Sequence, residues 1–89
     1  MTDYQEVIER IRQVKEAHLA ELMAKENVVG VGIGFRHRHK TRTEEVVLVV
    51  MVEQKVPLSQ LAPEDIIPGQ IEGVRVDVQE SGRLTVQNR

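Results

Sequence analysis

The sequence predicts an α+β domain, with an N-terminal amphipathic helix packed on one face of a mostly antiparallel sheet of about four strands. Three observations lead there. Tyr4, Val7, Ile8, Ile11, Val14 and Leu22 recur at helical spacing, while Glu6, Glu9, Arg12, Gln13 and Glu16 fall opposite. Residues 28 to 35 alternate strictly between apolar side chains and glycines. Val46 to Val52 is a short, unbroken apolar run rich in β-branched residues, which reads as a strand buried on both faces.

In chain order, Thr2 with Gln5 matches a capping box that opens the helix. The helix is expected to run to about Lys25, on the order of 33 Å at ~1.5 Å per residue, with Asn27 as a left-handed stop. In the first strand Val29, Val31, Ile33 and Phe35 are expected on one face, leaving Gly30, Gly32 and Gly34 on a bare one. The second strand covers residues 44 to 53, and the basic stretch between the two is read as a hairpin loop. Pro57, Pro63 and Pro68 then punctuate a connection with room for short helical turns at 58 to 61 and 64 to 66. Val74, Val76 and Val78 alternate with Arg75, Asp77 and Gln79 in a half-exposed strand, and Ser81-Gly82 turns into a last short strand carrying Leu84 and Val86. Without repeats or linkers, residues 1 to 89 form one domain.

A chain of 89 residues buries about 60 to 65% of its unfolded surface, so the core is thin and self-association would help it. Tyr4 and Phe35 are the only aromatics, which argues against a base-stacking platform. The net charge of −2 excludes a uniformly basic nucleic-acid binder, although residues 36 to 42 carry +4. Cysteine is absent, and with it any disulfide framework, thiolate nucleophile or Cys-based zinc site. The polar, acidic start and the shortness of the longest apolar run predict a cytoplasmic protein that does not enter the membrane.

Glycine inside a strand costs roughly 0.5 to 1 kcal/mol relative to alanine, so the stripe of three needs a compensating close approach by a helix, a sheet or a ligand. Phosphate-cradling loops follow a strand and open a helix; this stripe follows a helix and lies within a strand. One helix covers one sheet face, and the second face needs either the Pro-rich connection or another copy of the chain. Gly30, Gly32, Gly34, Val47, Val49 and Met51 are accordingly the expected packing or interface positions of a homo-oligomer, a symmetric dimer above all. Arg36, His37, Arg38, His39, Lys40 and Arg42 form the one charge cluster suited to an anion or an acidic partner, set against the plainer reading of a solvated hairpin tip. His37 and His39 make half of a metal site, and no metal or other cofactor is expected. His18 falls near the centre of the helix's apolar stripe and is read as a hydrogen-bonded core or interface histidine, because no motif places a carboxylate or nucleophile beside it for catalysis.

Two stretches carry a family resemblance: Val28 to Phe35, and the run Val49-Val50-Met51-Val52-Glu53-Gln54-Lys55-Val56-Pro57 with Leu61, Ile67-Pro68 and Ile71-Glu72-Gly73-Val74-Arg75-Val76-Asp77-Val78. Together they resemble the segment preceding the peptidase domain in some bacterial trypsin-like serine peptidases and in narrow-leaf type plant proteins, over roughly residues 27 to 80. The match stops where a peptidase domain would begin, so no Ser-His-Asp triad is carried over. The resemblance implies a non-catalytic module for assembly, partner docking or control of a separate peptidase, and it transfers no binding residue.

Overall fold

The computed structural model describes residues 4–39 and 41–81. Its elements follow the order α1 (Tyr4–Met23), β1 (Val28–Arg38), β2 (Thr41–Val52), two 3-10 turns (Leu58–Gln60 and Pro63–Asp65), β3 (Gln70–Ile71) and β4 (Val74–Glu80). The strands stand side by side as β1-β2-β4-β3. β1 with β2 and β3 with β4 are antiparallel, whereas β2 with β4 is parallel. The fold is α+β as expected, with one parallel pairing inside a mostly antiparallel sheet. A parallel neighbour needs a crossover of a dozen or more residues, and the Pro-rich connection with its two turns and β3 supplies it.

α1 contains neither glycine nor proline and lays Ile11, Val14 and Leu22 on the sheet, where they meet Leu48, Val50, Val74 and Val76. It lies across β1 and β2 and reaches β4. The chain leaves the helix at Met23 and turns through Asn27, whose φ of 79° is the expected left-handed stop. The Asn27 carboxamide donates to the Gln54 carbonyl and its oxygen accepts from Gln54 N–H. Glu53 N–H donates to the Asn27 carbonyl at 2.9 Å, so the turn is tied to the far end of β2.

The β1–β2 register shifts twice, between Val28 and Gly30 and between Phe35 and His37. A bulge between Val28 and Gly30 shifts the register against β2, so Val28 packs on the core with Val31 and Ile33 while Val29 is exposed. The strict alternation in the sequence had placed Val29 with them; one unpaired residue is enough to break that parity. Beyond the bulge, Gly30, Gly32 and Gly34 oppose Met51, Val49 and Val47.

Both hairpin strands run further than the sequence indicates. Most of the expected loop over residues 36 to 42 is strand, because β1 extends to Arg38 and β2 begins at Thr41; His39 follows β1 at φ 54°. The Thr43 hydroxyl donates to the Arg36 carbonyl at 2.8 Å, and the Arg42 guanidinium sits 4.2 Å over the Phe35 ring. These contacts hold a charged ribbon in extended pairing despite its composition. β3 replaces part of the expected connection; the last strand at Leu84 and Val86 lies outside the described residues, as does Thr2 of the capping box.

The second face of the sheet is closed by the sheet itself. Val47 and Val49 are 1% and 6% exposed although, among the described residues, α1 packs on the opposite face with Leu48 and Val50. The distal half of β1 curls over β2 toward β4: Gln79 Nε2 donates to the Phe35 carbonyl at 3.1 Å and His37 N–H donates to Asp77 Oδ2 at 2.9 Å. Gly34 lies at the tightest point of the curl, where an added Cβ would be 3.3 Å from Val49 Cγ2, whereas a Cβ at Gly32 would meet nothing within 4 Å. Gly32→Ala is therefore expected to stabilise the fold by about 0.5 to 1 kcal/mol, and Gly34→Val to destabilise it by about 1 to 3 kcal/mol through overpacking. Urea unfolding midpoints of the two variants check this, and equal effects would rule out the curl as the reason for the stripe.

Candidate functional site

The six expected packing or interface positions divide. Val47, Val49 and Gly34 are consumed by the curl. Gly30, Gly32 and Met51 stay open, with the Met51 methyl 3.9 Å from where a Gly30 Cβ would stand. The mouth of the same face is closed by charge. Glu45 accepts from Arg36 Nη1 at 3.3 Å and from Arg75 Nε at 2.9 Å, linking β1, β2 and β4. Pairs this exposed contribute ~0 to 1 kcal/mol each, so they position side chains more than they stabilise.

That network takes Arg36 out of the expected anion-binding cluster. Arg42 is stacked on Phe35, which leaves Arg38, His37 and His39 exposed, while Lys40 lies outside the described residues. His37 and His39 line an open groove together with Lys55, Asp77, Gln79 and Glu80. Asp77 and Glu80 already accept from backbone amides there, of His37 and Lys55 respectively. Among the described residues no group of three or more His, Asp or Glu side chains is arranged to hold a metal ion.

His18 is not a core residue. It lies at the flank of α1, half-buried, between two carboxylates that sequence reasoning did not place beside it. Its Nδ1 is 2.7 Å from Glu21 Oε1 and its Nε2 is 2.7 Å from Glu72 Oε2. Glu21 was legible in principle, since residues three apart on a helix are neighbours. Glu72 was not, because 54 residues separate it from His18. It occupies the two-residue turn between β3 and β4, where Glu72 at φ 50° and Gly73 at φ 83° give the left-handed pair of a type I′ hairpin. Arg10 Nη2 also donates to the Glu72 carbonyl at 2.8 Å, so a turn residue of unfavourable backbone conformation is held from two points on α1.

The carboxylate of Glu72, and then that of Glu21, hold His18 above the ordinary imidazole range, and the His18 hydrogen bond holds Glu72 below the ordinary carboxylate range. As an imidazolium, His18 donates from both nitrogens and offers no lone pair to a substrate proton. The arrangement is a clamp between α1 and the β3–β4 turn.

Two apolar features complete the surface. A cleft of about 290 Å³ lies between the turn after α1 and the Pro-rich connection, with Val52, Val56, Leu58, Leu61, Ile67 and Val78 among its lining. It is suited to an aliphatic group. The second is the helical face of α1 that carries Ile8, Leu19 and Met23, which are 40%, 38% and 43% exposed; Val29 of β1 is 49% exposed.

The clamp has a pH signature. His18, with its folded affinity raised, contributes stability that is complete below about pH 6.5 and is lost as pH rises through its folded value. Glu72, with its folded affinity lowered, contributes stability that is complete above about pH 4.3 and is lost as pH falls through its folded value. The difference in unfolding midpoint between the wild type and His18→Gln is thus expected to be largest between these limits and to shrink toward alkaline pH. A difference that stays constant from pH 5 to pH 9, on the order of the range spanned by imidazole titration, would exclude the clamp.

Comparison of the chain with family models and with curated proteins gives no match.

Proposed function

We propose that this chain is a non-catalytic self-assembly and protein-interaction module of the cytoplasm, accessory to a peptidase of the trypsin-like class. The observation that carries the first part is the exposure of Ile8, Leu19 and Met23 on one helical face of α1, with Val29 of β1 exposed as well. Contiguous apolar patches of this kind mark interaction sites, and in so small a domain the buried core leaves much to gain from association. β1 is also an edge strand of the sheet. A role without catalysis is supported by His18, whose two ring nitrogens are both committed to carboxylates. The link to a peptidase rests on the sequence resemblance over roughly residues 27 to 80.

The competing reading, an anion held by the basic hairpin, keeps Arg38 as its exposed guanidinium, since Arg36 is paired and Arg42 stacked. The two readings separate on salt. An apolar association persists or strengthens as ionic strength rises, whereas phosphate or nucleic-acid binding weakens steeply. Light scattering of the purified chain from about 1 to 100 μM, concentrations bracketing Kd values typical of moderate association, is expected to give a mass of two chains or more, maintained in high salt. A mass of one chain throughout would overturn self-assembly.

A further inference from the structure

The unpaired edge of β1 is open over a defined window. In an antiparallel strand, successive residues direct their N–H and C=O alternately toward and away from the neighbour. Asn27 faces β2 through its bond from Glu53, the bulge at Val29 shifts the parity by one, and the register is then unbroken from Gly30 to Phe35. Gly30, Gly32 and Gly34 therefore face β2, while Val31, Ile33 and Phe35 face outward. The Phe35 carbonyl is occupied by Gln79 and the His37 amide by Asp77. Among the described residues, Val31 and Ile33 remain without a partner on this edge, bounded by a bulge on one side and by β4 side chains on the other.

Such a window selects its own partner. Resting on the self-assembly reading above, we infer that two copies of the chain pair antiparallel through this window, Val31 against the partner's Ile33, with the two-fold axis at Gly32. Centring the pair on Val31 would draw in the bulged Val29, and centring it on Ile33 would draw in the occupied Phe35. The Gly32-centred register alone uses just the free groups, and it forms two hydrogen-bonded pairs flanking a non-hydrogen-bonded Gly32 pair.

The helix agrees with that axis. From Val28 to Gly32 β1 advances about 13 Å at ~3.3 Å per residue, which corresponds to about nine residues of helix at ~1.5 Å each back from Met23, near Val14. Tyr4 and Met23 lie equally far from the point between Gln13 and Val14, and so do Ile8 and Leu19. A two-fold there sets Tyr4 against the partner's Met23 and Ile8 against the partner's Leu19, the exposed apolar residues of α1. Each helix overlies its own β1 and β2; with strands ~4.8 Å apart, helices centred between those strands come to about 10 Å across the seam, an ordinary packing distance. Arg12 meets the partner's Lys15 in this arrangement and enters it already held by Glu9 and Glu16.

Gly32→Cys tests the axis. The chain has no cysteine of its own, a Cβ at Gly32 meets nothing within 4 Å, and a non-hydrogen-bonded antiparallel pair has Cα atoms about 4.5 Å apart, inside disulfide range. Under mild oxidation Gly32→Cys is expected to form a covalent dimer, while Ser59→Cys on the distant connection stays uncrosslinked. Leu19→Glu is expected to shift the mass from two chains to one with unchanged circular dichroism. A wild-type dimer in which Gly32→Cys does not crosslink and Leu19→Glu leaves the mass unchanged would overturn this interface and leave self-assembly standing. A wild-type monomer would overturn both, and slow amide exchange at Val31 and Ile33 in that monomer would assign the window to residues 82–89 of the same chain.

Discussion

A sheet with apolar side chains on both faces must be covered twice, and this chain supplies a single long helix. α1 covers the face of Leu48, Val50, Val74 and Val76. The other face, with Val47 and Val49, is covered by bending β1 back over it, and the bend is fastened by Gln79 and Asp77 of β4 to the backbone of β1. A side chain at Gly34 would obstruct that movement. The clamps elsewhere follow from the same arrangement: once β4 sits beside β2, the short β3–β4 turn lies under α1, where His18 and Arg10 reach Glu72.

Much of this was legible in the sequence because it is local. The helical stripe, the left-handed Asn27, the two apolar strands and the short turns between the prolines each depend on spacing within a few residues. What was not legible depends on register or on distance. Val29 looks like a core residue until the bulge moves it outward, and the basic stretch looks like a loop until His37 and Arg38 are seen paired with Arg42 and Thr41. Glu72 carries no mark that it will meet His18. The parallel placement of β4 beside β2 has no local signal, since nothing in Val74 to Glu80 distinguishes a parallel from an antiparallel neighbour.

The site was legible to the same degree. The sequence indicated an apolar surface in excess of what one helix covers, and placed it on the glycine face. The fold closes most of that face from within and leaves the excess one strand away, at the edge of β1 and the flank of α1. Gly32 belongs to both descriptions, as the open glycine of the stripe and as the centre of the free edge.

The parallel pairing also sets an order of events. β1 ends at Arg38 and its antiparallel partner β2 begins at Thr41, and a hairpin of this kind closes in ~1 to 10 μs. β4 reaches β2 only after the whole connection has been closed, a slower step for non-local contacts. In the interval the run from Val46 to Val52, the most amyloid-like stretch in its β-branched content, has one flank unpaired. Glu44 and Glu45 stand immediately before that run and Glu53 immediately after it. Carboxylates in these positions act as gatekeepers, repelling a second such strand during the time that the first is still exposed.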